Sequence, residues 1–135
     1  MKIKKIYIKN FRSIKELSLT FPEKGLLVLV GSNNAGKSNI LRAIDALLGD
    51  SWFTTDKLEI YDHYCRNRNN DIEIRVEFDT GYQVCFDMNN KMPRYLDDFG
   101  RTIYGNKGNV KEDFPCTYLD ASRNLSREME FRNWT

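Results

Sequence analysis

The chain has 135 residues, of which 41% are hydrophobic and 30% charged, and its formal net charge is +2. These values predict one globular domain, or part of one, and they exclude a polycation that coats nucleic acid along its whole length. No apolar run approaches the ~20 residues of a membrane-spanning helix, and nothing after Met1 resembles a secretion signal. We therefore expect a cytoplasmic protein without a membrane partner, with reduced thiols at Cys65, Cys85 and Cys116.

The N-terminal segment has the alternation of a half-buried β-strand. Ile6 and Ile8 alternate with charged or polar neighbours, whereas Ile3 and Phe11 fall out of phase with that pair. The change of phase predicts a bulge or a local twist at one end of the strand. A second strand is predicted over 17–21, where apolar residues alternate again before a turn that contains Pro and Gly.

Basic side chains are concentrated before the first acidic residue, Glu16. They are Lys2, Lys4, Lys5, Lys9, Arg12 and Lys15. Such a cluster is typical of a nucleic-acid footprint, but it also suits the solvated face of an edge strand, where lysines prevent aggregation. We favour the edge-strand interpretation and leave the DNA-binding one open.

A phosphate-binding loop follows the two strands. The sequence GSNNAGKS at 31–38 fits the pattern G-x-x-x-x-G-K-S. The five apolar residues at 26–30 predict a strand buried on both faces before it. After it, apolar residues recur at helical spacing until Gly49, where a helix is expected to stop; they are Ile40, Ile44, Leu47 and Leu48. A strand, a glycine-rich loop and a helix in this order are the context that the motif needs.

The residue types of the loop suit a nucleoside triphosphate with Mg²⁺. Gly31 and Gly36 allow backbone conformations that turn successive N–H groups toward an anion, and the helix adds the positive end of its dipole. Lys37 would contact the β- and γ-phosphates, and the Ser38 hydroxyl would bind Mg²⁺. The predicted nucleotide-binding residues of this segment are Asn33, Asn34, Ala35, Gly36, Lys37, Ser38 and Asn39.

Downstream, the clearest signal is an antiparallel hairpin over 71–88. Two strands with alternating apolar residues flank Thr80-Gly81, which predicts a sheet with one solvated face. The preceding segment, 50–70, is weakly periodic and is expected to be a loop. Its His63 lies near Cys65 without further residues at metal-ligand spacing, so we interpret it as a surface or packing residue.

Shorter elements are predicted towards the C-terminus. They are a short strand and a Gly/Asn loop within 92–109, with 101–104 as the best position for the strand, a strand over 116–119 and a helix that starts near Ser122. The chain thus divides into 1–49 with the phosphate loop, 50–70 as a loop, 71–119 as antiparallel strands and 120–135 as the start of a helix. Since no Gly or Pro ends that helix, we expect Thr135 to be an imposed boundary rather than a natural C-terminus.

The sequence offers no good match for the acidic residue that activates water in an ATPase. Such a residue follows an apolar strand, and the nearest candidate, Asp120 after 117–119, fits poorly. The segment 125–128 lacks the glycine of an ABC signature. We therefore expect no catalytic residue in this chain, which carries the phosphate-binding half of an ATPase without the half that activates water.

The order of motifs is similar to that of ABC-type ATPases that act on DNA. IKNFRSI at 8–14, the second strand, and the segment from 29 to 41 together resemble the N-terminus of SMC and RecF-like proteins and, most specifically, of the OLD (overcoming lysogenization defect) family. YLDASR at 118–123 resembles a later segment of the same family. The resemblance implies an α/β fold, the N-terminal lobe of an ABC-ATPase-like P-loop NTPase with a mixed sheet and an incomplete ATPase core.

The same resemblance implies function. Full-length relatives are ATP-dependent endonucleases, of the kind used in DNA repair or phage defence, with a downstream Toprim nuclease domain and ATPase heads that form a head-to-head homodimer. ATP and Mg²⁺ are the implied cofactors and DNA is an implied partner. Arg12 and Ser13 match positions near the nucleotide in such heads. The glutamine that reaches Mg²⁺ in these heads is not assigned, because Gln83 lies within a predicted hairpin strand.

Two other functions stay open at this stage. One is a stand-alone module that binds nucleotide or DNA without hydrolysis, supported by the same loop and the basic N-terminus. The other is a small P-loop kinase, which the two strands before the phosphate-loop strand argue against, since such kinases usually begin with that strand.

Overall fold

The computed structural model describes residues 2–24, 36–49 and 53–103. The strands are β1 (Ile3–Phe11), β2 (Ile14–Thr20), β3 (Glu73–Phe78), β4 (Gln83–Phe86) and β5 (Arg94–Leu96), and the helix α1 is Lys37–Leu48. Three short 3₁₀ turns occupy Thr55–Lys57, Ile60–Asp62 and Tyr64–Arg66. The strands predicted over 26–30 and 116–119, the loop residues 31–35 and the helix from Ser122 lie outside these residues.

The described strands form one sheet in the order β2-β1-β3-β4-β5, in which every neighbouring pair is antiparallel. The β1–β3 pairing shifts register between Ile3 and Lys5, so the predicted irregularity is confirmed at the N-terminal end of β1. The prediction that β1 is an edge strand is wrong. Because β3 pairs with the side of β1 that β2 leaves open, β1 lies inside the sheet.

Carboxylates on both neighbouring strands face the basic side chains of β1. Lys9 is opposite Glu16 on β2 and Glu73 on β3, and Lys5 is opposite Glu77 on β3. Opposite charges at facing positions stabilise a sheet and neutralise its surface. Lys5 and Lys9 are therefore part of a mixed-charge face of the sheet, which accounts for two of the six residues in the basic run.

The other face of the sheet is apolar and packs against α1. The helix buries Ala43, Ile44, Leu47 and Leu48, as its helical spacing predicts for three of them. The sheet contributes side chains that alternate along each strand, and those that are completely inaccessible include Ile6, Ile8, Ile74, Val76 and Val84. Packing α1 on this face fixes the position of the helix N-terminus relative to β1 and β2.

Gly49 ends α1 as predicted, although its backbone is not left-handed. Its φ is −71°, and its N–H donates to the Asp45 carbonyl at 2.7 Å. A Cβ at this position would collide with the carbonyl and the carboxylate of Asp45. Close approach to the last helical turn, and not a positive φ, is what favours glycine here.

The predicted hairpin is confirmed, and the strand predicted within 92–109 is present, although not at 101–104. β3 and β4 pair as expected, with Ile74 opposite Phe86. The next strand is Arg94–Leu96, and of the described residues 101–103 only Thr102 forms a bridge, to Leu96. Asp97 accounts for this arrangement, because its carboxylate accepts hydrogen bonds from two backbone N–H groups and closes a tight turn.

Candidate nucleotide-binding site

The N-terminal end of α1 is suited to bind an anion. Gly36 is its N-cap, with φ +83° and ψ +9°, and Lys37 and Ser38 are the first helical residues. The first turn contains no acidic residue. The helix dipole and the backbone N–H groups of the first turn therefore favour negative charge at this end, without competition from a carboxylate of the helix itself. Lys37 is half-buried and the Ser38 side chain is exposed.

The turn between β1 and β2 contacts this helix end. The Asn39 side-chain amide donates to Ser13 Oγ at 2.7 Å. A Cβ on Gly36 would lie 2.8 Å from the same oxygen. Ser13 therefore lies against the last residues of the phosphate-loop motif, although more than twenty residues separate them in sequence. The structure brings together Ser13, Gly36 and Asn39, three of the residues predicted to bind nucleotide.

Arg12 is fixed by Asp62. Its backbone N–H donates to the Asp62 carbonyl at 2.8 Å, and its guanidinium Nη2 lies 3.1 Å from Asp62 Oδ1. The two side chains are 29% and 9% exposed, so this ion pair is largely shielded from water and its geometry is well defined. Arg12 also has a left-handed backbone, with φ +52°, which turns the chain sharply towards Ser13.

The Arg12 guanidinium lies over two aromatic rings. Its central carbon is 5.4 Å from the ring centroid of Tyr61 and 5.6 Å from that of Phe11. Tyr61 is 53% exposed. Arg12 Nε is buried and has no acceptor among the described residues. A flat cationic and aromatic surface therefore lies beside the helix N-terminus, where part of the Tyr61 ring remains open to a ligand.

His63 is buried next to this surface. Only 2% of the residue is exposed, and its Nδ1 lies 2.9 Å from the Asn70 carbonyl oxygen. Asn70 is itself held, since its side-chain amide donates to the Tyr64 carbonyl at 2.8 Å. A backbone bridge to Phe11 ties His63 to the end of β1. Of the two roles open to His63 from sequence, the structure selects the packing residue, at the wall of a cavity.

These segments enclose an open cleft of about 380 Å³. Its lining residues are Arg12, Ser13, Asn39, Tyr61, His63, Cys65 and Arg66. Tyr64 borders this segment, and its hydrogen bond with the Cys65 thiol raises the pKa of the Tyr64 hydroxyl.

The predicted site residues divide into two groups. Gly36, Lys37, Ser38 and Asn39 lie at the helix N-terminus beside Arg12 and Ser13, whereas Asn33, Asn34 and Ala35 lie outside the described residues. For a divalent cation, the described residues contain no group of three or more His, Cys, Asp or Glu side chains. The exposed Ser38 hydroxyl fits Mg²⁺ that takes its remaining ligands from phosphate and water.

The segment 60–66 contributes to the site, although no pattern in the sequence predicted it. Tyr61, His63 and Arg66 line the cleft, and Asp62 fixes Arg12, but this segment has no periodic pattern and no motif. Asp62 Oδ2 accepts the Glu59 backbone N–H at 2.9 Å, but Glu59 is not the Ser or Thr by which a capping box is recognised in sequence. Nothing in the sequence indicated that this turn would pack against the end of β1.

The packing of α1 on the sheet and the phosphate-loop motif indicate the class of protein, a P-loop NTPase of the ABC-ATPase type. The model of the AAA ATPase domain family matches residues 1–132, so the chain belongs to this family. A solved structure from a study of ATP-driven dimerization and DNA-stimulated activation of SMC ATPases has the same fold, with a TM-score of 0.60, 19% identity and complete coverage of both chains. No helix among the described residues is long and apolar enough to cross a membrane.

Curated relatives agree with the family resemblance drawn from the motifs. The chain is 40% identical over 81 residues to an OLD nuclease of Thermus scotoductus, and 38% identical over 80 residues to the DNA replication and repair protein RecF of Leptospira biflexa. Each match covers 59% of this chain, but only 15% of the first relative and 21% of the second. The Smc protein of Methanocaldococcus jannaschii is 53% identical over 47 residues, which are 35% of this chain and 4% of that relative.

Proposed function

We propose that this chain is the ATP-binding N-terminal part of an ATP-dependent DNA endonuclease of the OLD type. The observation that carries the nucleotide-binding part is the convergence of the Ser13 turn on Gly36 and Asn39 at the helix N-terminus. This contact joins the phosphate-loop motif to a cleft of about 380 Å³. A nucleotide thus has an anion site for its phosphates and an adjoining space for its ribose and base.

The residues have separate roles in this proposal. Backbone N–H groups of 33–38 surround the phosphates, Lys37 contacts the β- and γ-phosphates, and Asn39 and Ser13 form the wall towards the ribose. Mg²⁺, held by the Ser38 hydroxyl, supplies positive charge that neutralises the triphosphate. Arg12, held by Asp62, presents its guanidinium at the mouth of the cleft.

The nuclease part of the proposal comes from the relatives and not from the site. The relative from Thermus scotoductus is named an OLD nuclease, and it is much longer than this chain. We propose that hydrolysis and DNA cleavage require downstream segments: a Walker B acid, a signature motif and a Toprim domain. The complete protein would act on DNA in the cytoplasm as a head-to-head homodimer. The alternative is a stand-alone module that binds nucleotide or DNA without hydrolysing ATP.

Calorimetric titration of the chain with ATP, ADP and GTP in the presence of Mg²⁺ tests nucleotide binding. We expect ATP to bind, and we expect Lys37→Ala to abolish binding while the unliganded thermal midpoint stays within about 2 °C, as for substitutions away from the core. Binding that survives in Lys37→Ala would contradict the proposal. So would a large loss of unliganded stability, because it would show that Lys37 serves the fold.

Hydrolysis separates the two candidate functions. For a lobe that needs downstream residues, we expect ATP turnover by the 135-residue chain to stay at background, and to appear when the reading frame is extended into a Walker B strand. Appreciable turnover by the chain itself would contradict the division of labour proposed here. A native stop codon directly after Thr135 would favour the stand-alone module.

A further inference from the structure

We propose that His63 selects the base of the bound nucleotide, and that it accepts a hydrogen bond from an exocyclic amino group, such as the one at position 6 of adenine. This inference rests on the proposed function, because it places a nucleotide in the cleft. It goes further by naming a residue that distinguishes amino-bearing bases from their oxo counterparts.

The position of His63 relative to the phosphate site supports this role. The cleft begins at Ser13 and Asn39, next to the helix N-terminus, and extends to Tyr61, His63 and Arg66. With its phosphates at the start of α1, a nucleotide would direct its ribose and base into the same cleft. His63 is then part of the wall that the base approaches.

The tautomer of His63 follows from its hydrogen bond. The Asn70 carbonyl oxygen, 2.9 Å from Nδ1, can only accept, so in the neutral ring Nδ1 carries the proton. The other ring nitrogen, Nε2, is then an acceptor, and it has no partner among the described residues. Only 2% of His63 is exposed, and its partner Asn70 is anchored to Tyr64. The ring therefore cannot turn freely to present a donor.

An acceptor fixed in this way discriminates between bases. An exocyclic amino group donates a hydrogen bond to Nε2, whereas the 6-oxo group of guanine or hypoxanthine would place two acceptors against each other. Sites that hydrogen-bond one functional group reject analogues that lack it, because a buried polar atom is left unpaired. Stacking on the nearby aromatic ring does not make this distinction, since every base has a face that stacks.

Tyr61 and Arg66 provide matched controls within the same cleft. The exposed Tyr61 ring offers stacking area, and Arg66 offers positive charge at an exposed position. Neither contribution depends on the 6-substituent in the way that a fixed acceptor does. We expect Tyr61→Ala and Arg66→Ala to weaken the binding of ATP and of inosine triphosphate by a similar factor. The ratio of the two ligand affinities should then stay within about twofold of that of the unmodified chain.

The test compares three ligands on the whole chain with Mg²⁺: ATP, inosine triphosphate with a 6-oxo group, and purine riboside triphosphate with hydrogen at position 6. We expect ATP to bind about tenfold more tightly than inosine triphosphate, with the 6-hydrogen analogue between them, as for one hydrogen bond gained or lost. In His63→Phe, the three affinities should agree within about twofold. The analogue series on the unmodified chain carries the test even where His63→Phe does not fold.

The outcomes separate this inference from the proposed function. Equal affinities for ATP and inosine triphosphate, both abolished by Lys37→Ala, would overturn the role of His63 and leave nucleotide binding intact. A preference for ATP that persists in folded His63→Phe would also overturn it. If none of the three ligands binds, both the inference and the proposed function are wrong.

Discussion

Gly36 is the residue at which the phosphate loop and the β1–β2 turn meet. It combines a φ of +83° with a Cβ direction that points at Ser13 Oγ, 2.8 Å away. Gly100 has nearly the same φ, +80°, but nothing within 4 Å of its Cβ position. Comparing the two glycines therefore separates the effect of a positive φ from the effect of crowding at the Cβ position.

We expect Gly36→Ala to be more destabilising than Gly100→Ala. Both substitutions place a side chain in the left-handed region, which lowers the free energy of unfolding by about 1–2 kcal/mol. Gly36→Ala also displaces Ser13 Oγ from its bond with Asn39, which adds about 1 kcal/mol. Urea unfolding measures the difference. In a Ser13→Ala background the extra loss should vanish, and an extra loss of the same size there would show that Ser13 is not its cause.

Arg12 and Asp62 form the most shielded ion pair among the described residues, with side chains 29% and 9% exposed. We expect Arg12→Ala to lower the free energy of unfolding by about 2 kcal/mol, because it leaves the Asp62 carboxylate buried and unpaired. Denaturant titration measures the change.

The exposed pair of Arg75 and Glu73, 48% and 36% accessible, is the control. Arg75→Ala should change stability by no more than about 0.5 kcal/mol. Adding Asp62→Asn to Arg12→Ala should restore part of the loss, since the unpaired charge is gone. Equal effects of Arg12→Ala and Arg75→Ala would contradict a structural role for the buried pair.

The two cysteines in the described residues differ in reactivity. Burial raises the pKa of the Cys85 thiol from its ordinary value of 9.0, whereas Cys65 is exposed in the cleft. In a Cys116→Ser background at pH 8, we expect a maleimide to label Cys65 at least ~10-fold faster than Cys85, because the thiolate is the nucleophile. Mass spectrometry of peptides measures both rates, and faster labelling of Cys85 would contradict its burial.

The same pKa shift gives a direction for stability. The folded state holds the Cys85 proton more tightly than the unfolded state does. The contribution of the protonated Cys85 thiol to the free energy of unfolding is therefore fully present below the ordinary thiol pKa. It is lost as pH rises through the higher pKa of the folded state.

At the scale of elements, cross-strand pairs hold β1 inside the sheet. Lys9 faces Glu16 on one side and Glu73 on the other. We expect Lys9→Glu to destabilise the fold by about 1 kcal/mol at low salt, because it places three carboxylates in a row, and to lose much of this effect in 1 M NaCl.

Lys15→Glu is the matched control, because Lys15 has no carboxylate opposite it where β2 pairs with β1. It makes the same change of net charge and should alter stability by less than about 0.5 kcal/mol. Thermal unfolding at two salt concentrations compares the variants. Equal effects of the two substitutions would show that net charge, and not strand pairing, is responsible.

Local patterns predicted the elements whose signal lies within one segment. The alternation around Ile6 and Ile8, the hairpin at Thr80-Gly81 and the helix up to Gly49 were all visible in sequence, because one buried face imposes a period. β5, with three residues, is too short for a period to emerge. The interior position of β1 was missed because strand order depends on β3, about sixty residues away, and no pattern within β1 records it.

At the scale of the molecule, the candidate site is assembled from three separate segments. The phosphate-loop residues are recognisable by their motif, and Arg12 and Ser13 by their place in the family pattern. The segment 60–66 was not recognisable in sequence, because it joins the site only through tertiary contacts. The Asp62 carbonyl accepts the Arg12 backbone N–H, and His63 forms a backbone bridge with Phe11. Tertiary contacts of this kind produce no regular spacing of residues along the sequence, so no pattern predicts them.

Mapping a bound nucleotide on the backbone amides of the chain tests this assembly most directly. On adding Mg²⁺ and a non-hydrolysable ATP analogue to isotope-labelled protein, we predict the largest amide shifts at Ser13, at 36–39 and at 61–66, with little change at Arg94–Leu96 on the far edge of the sheet. The shifts should disappear in Lys37→Ala. Shifts confined to 36–39 would show that the phosphate loop binds without the cleft, and shifts centred on β5 would contradict the site altogether.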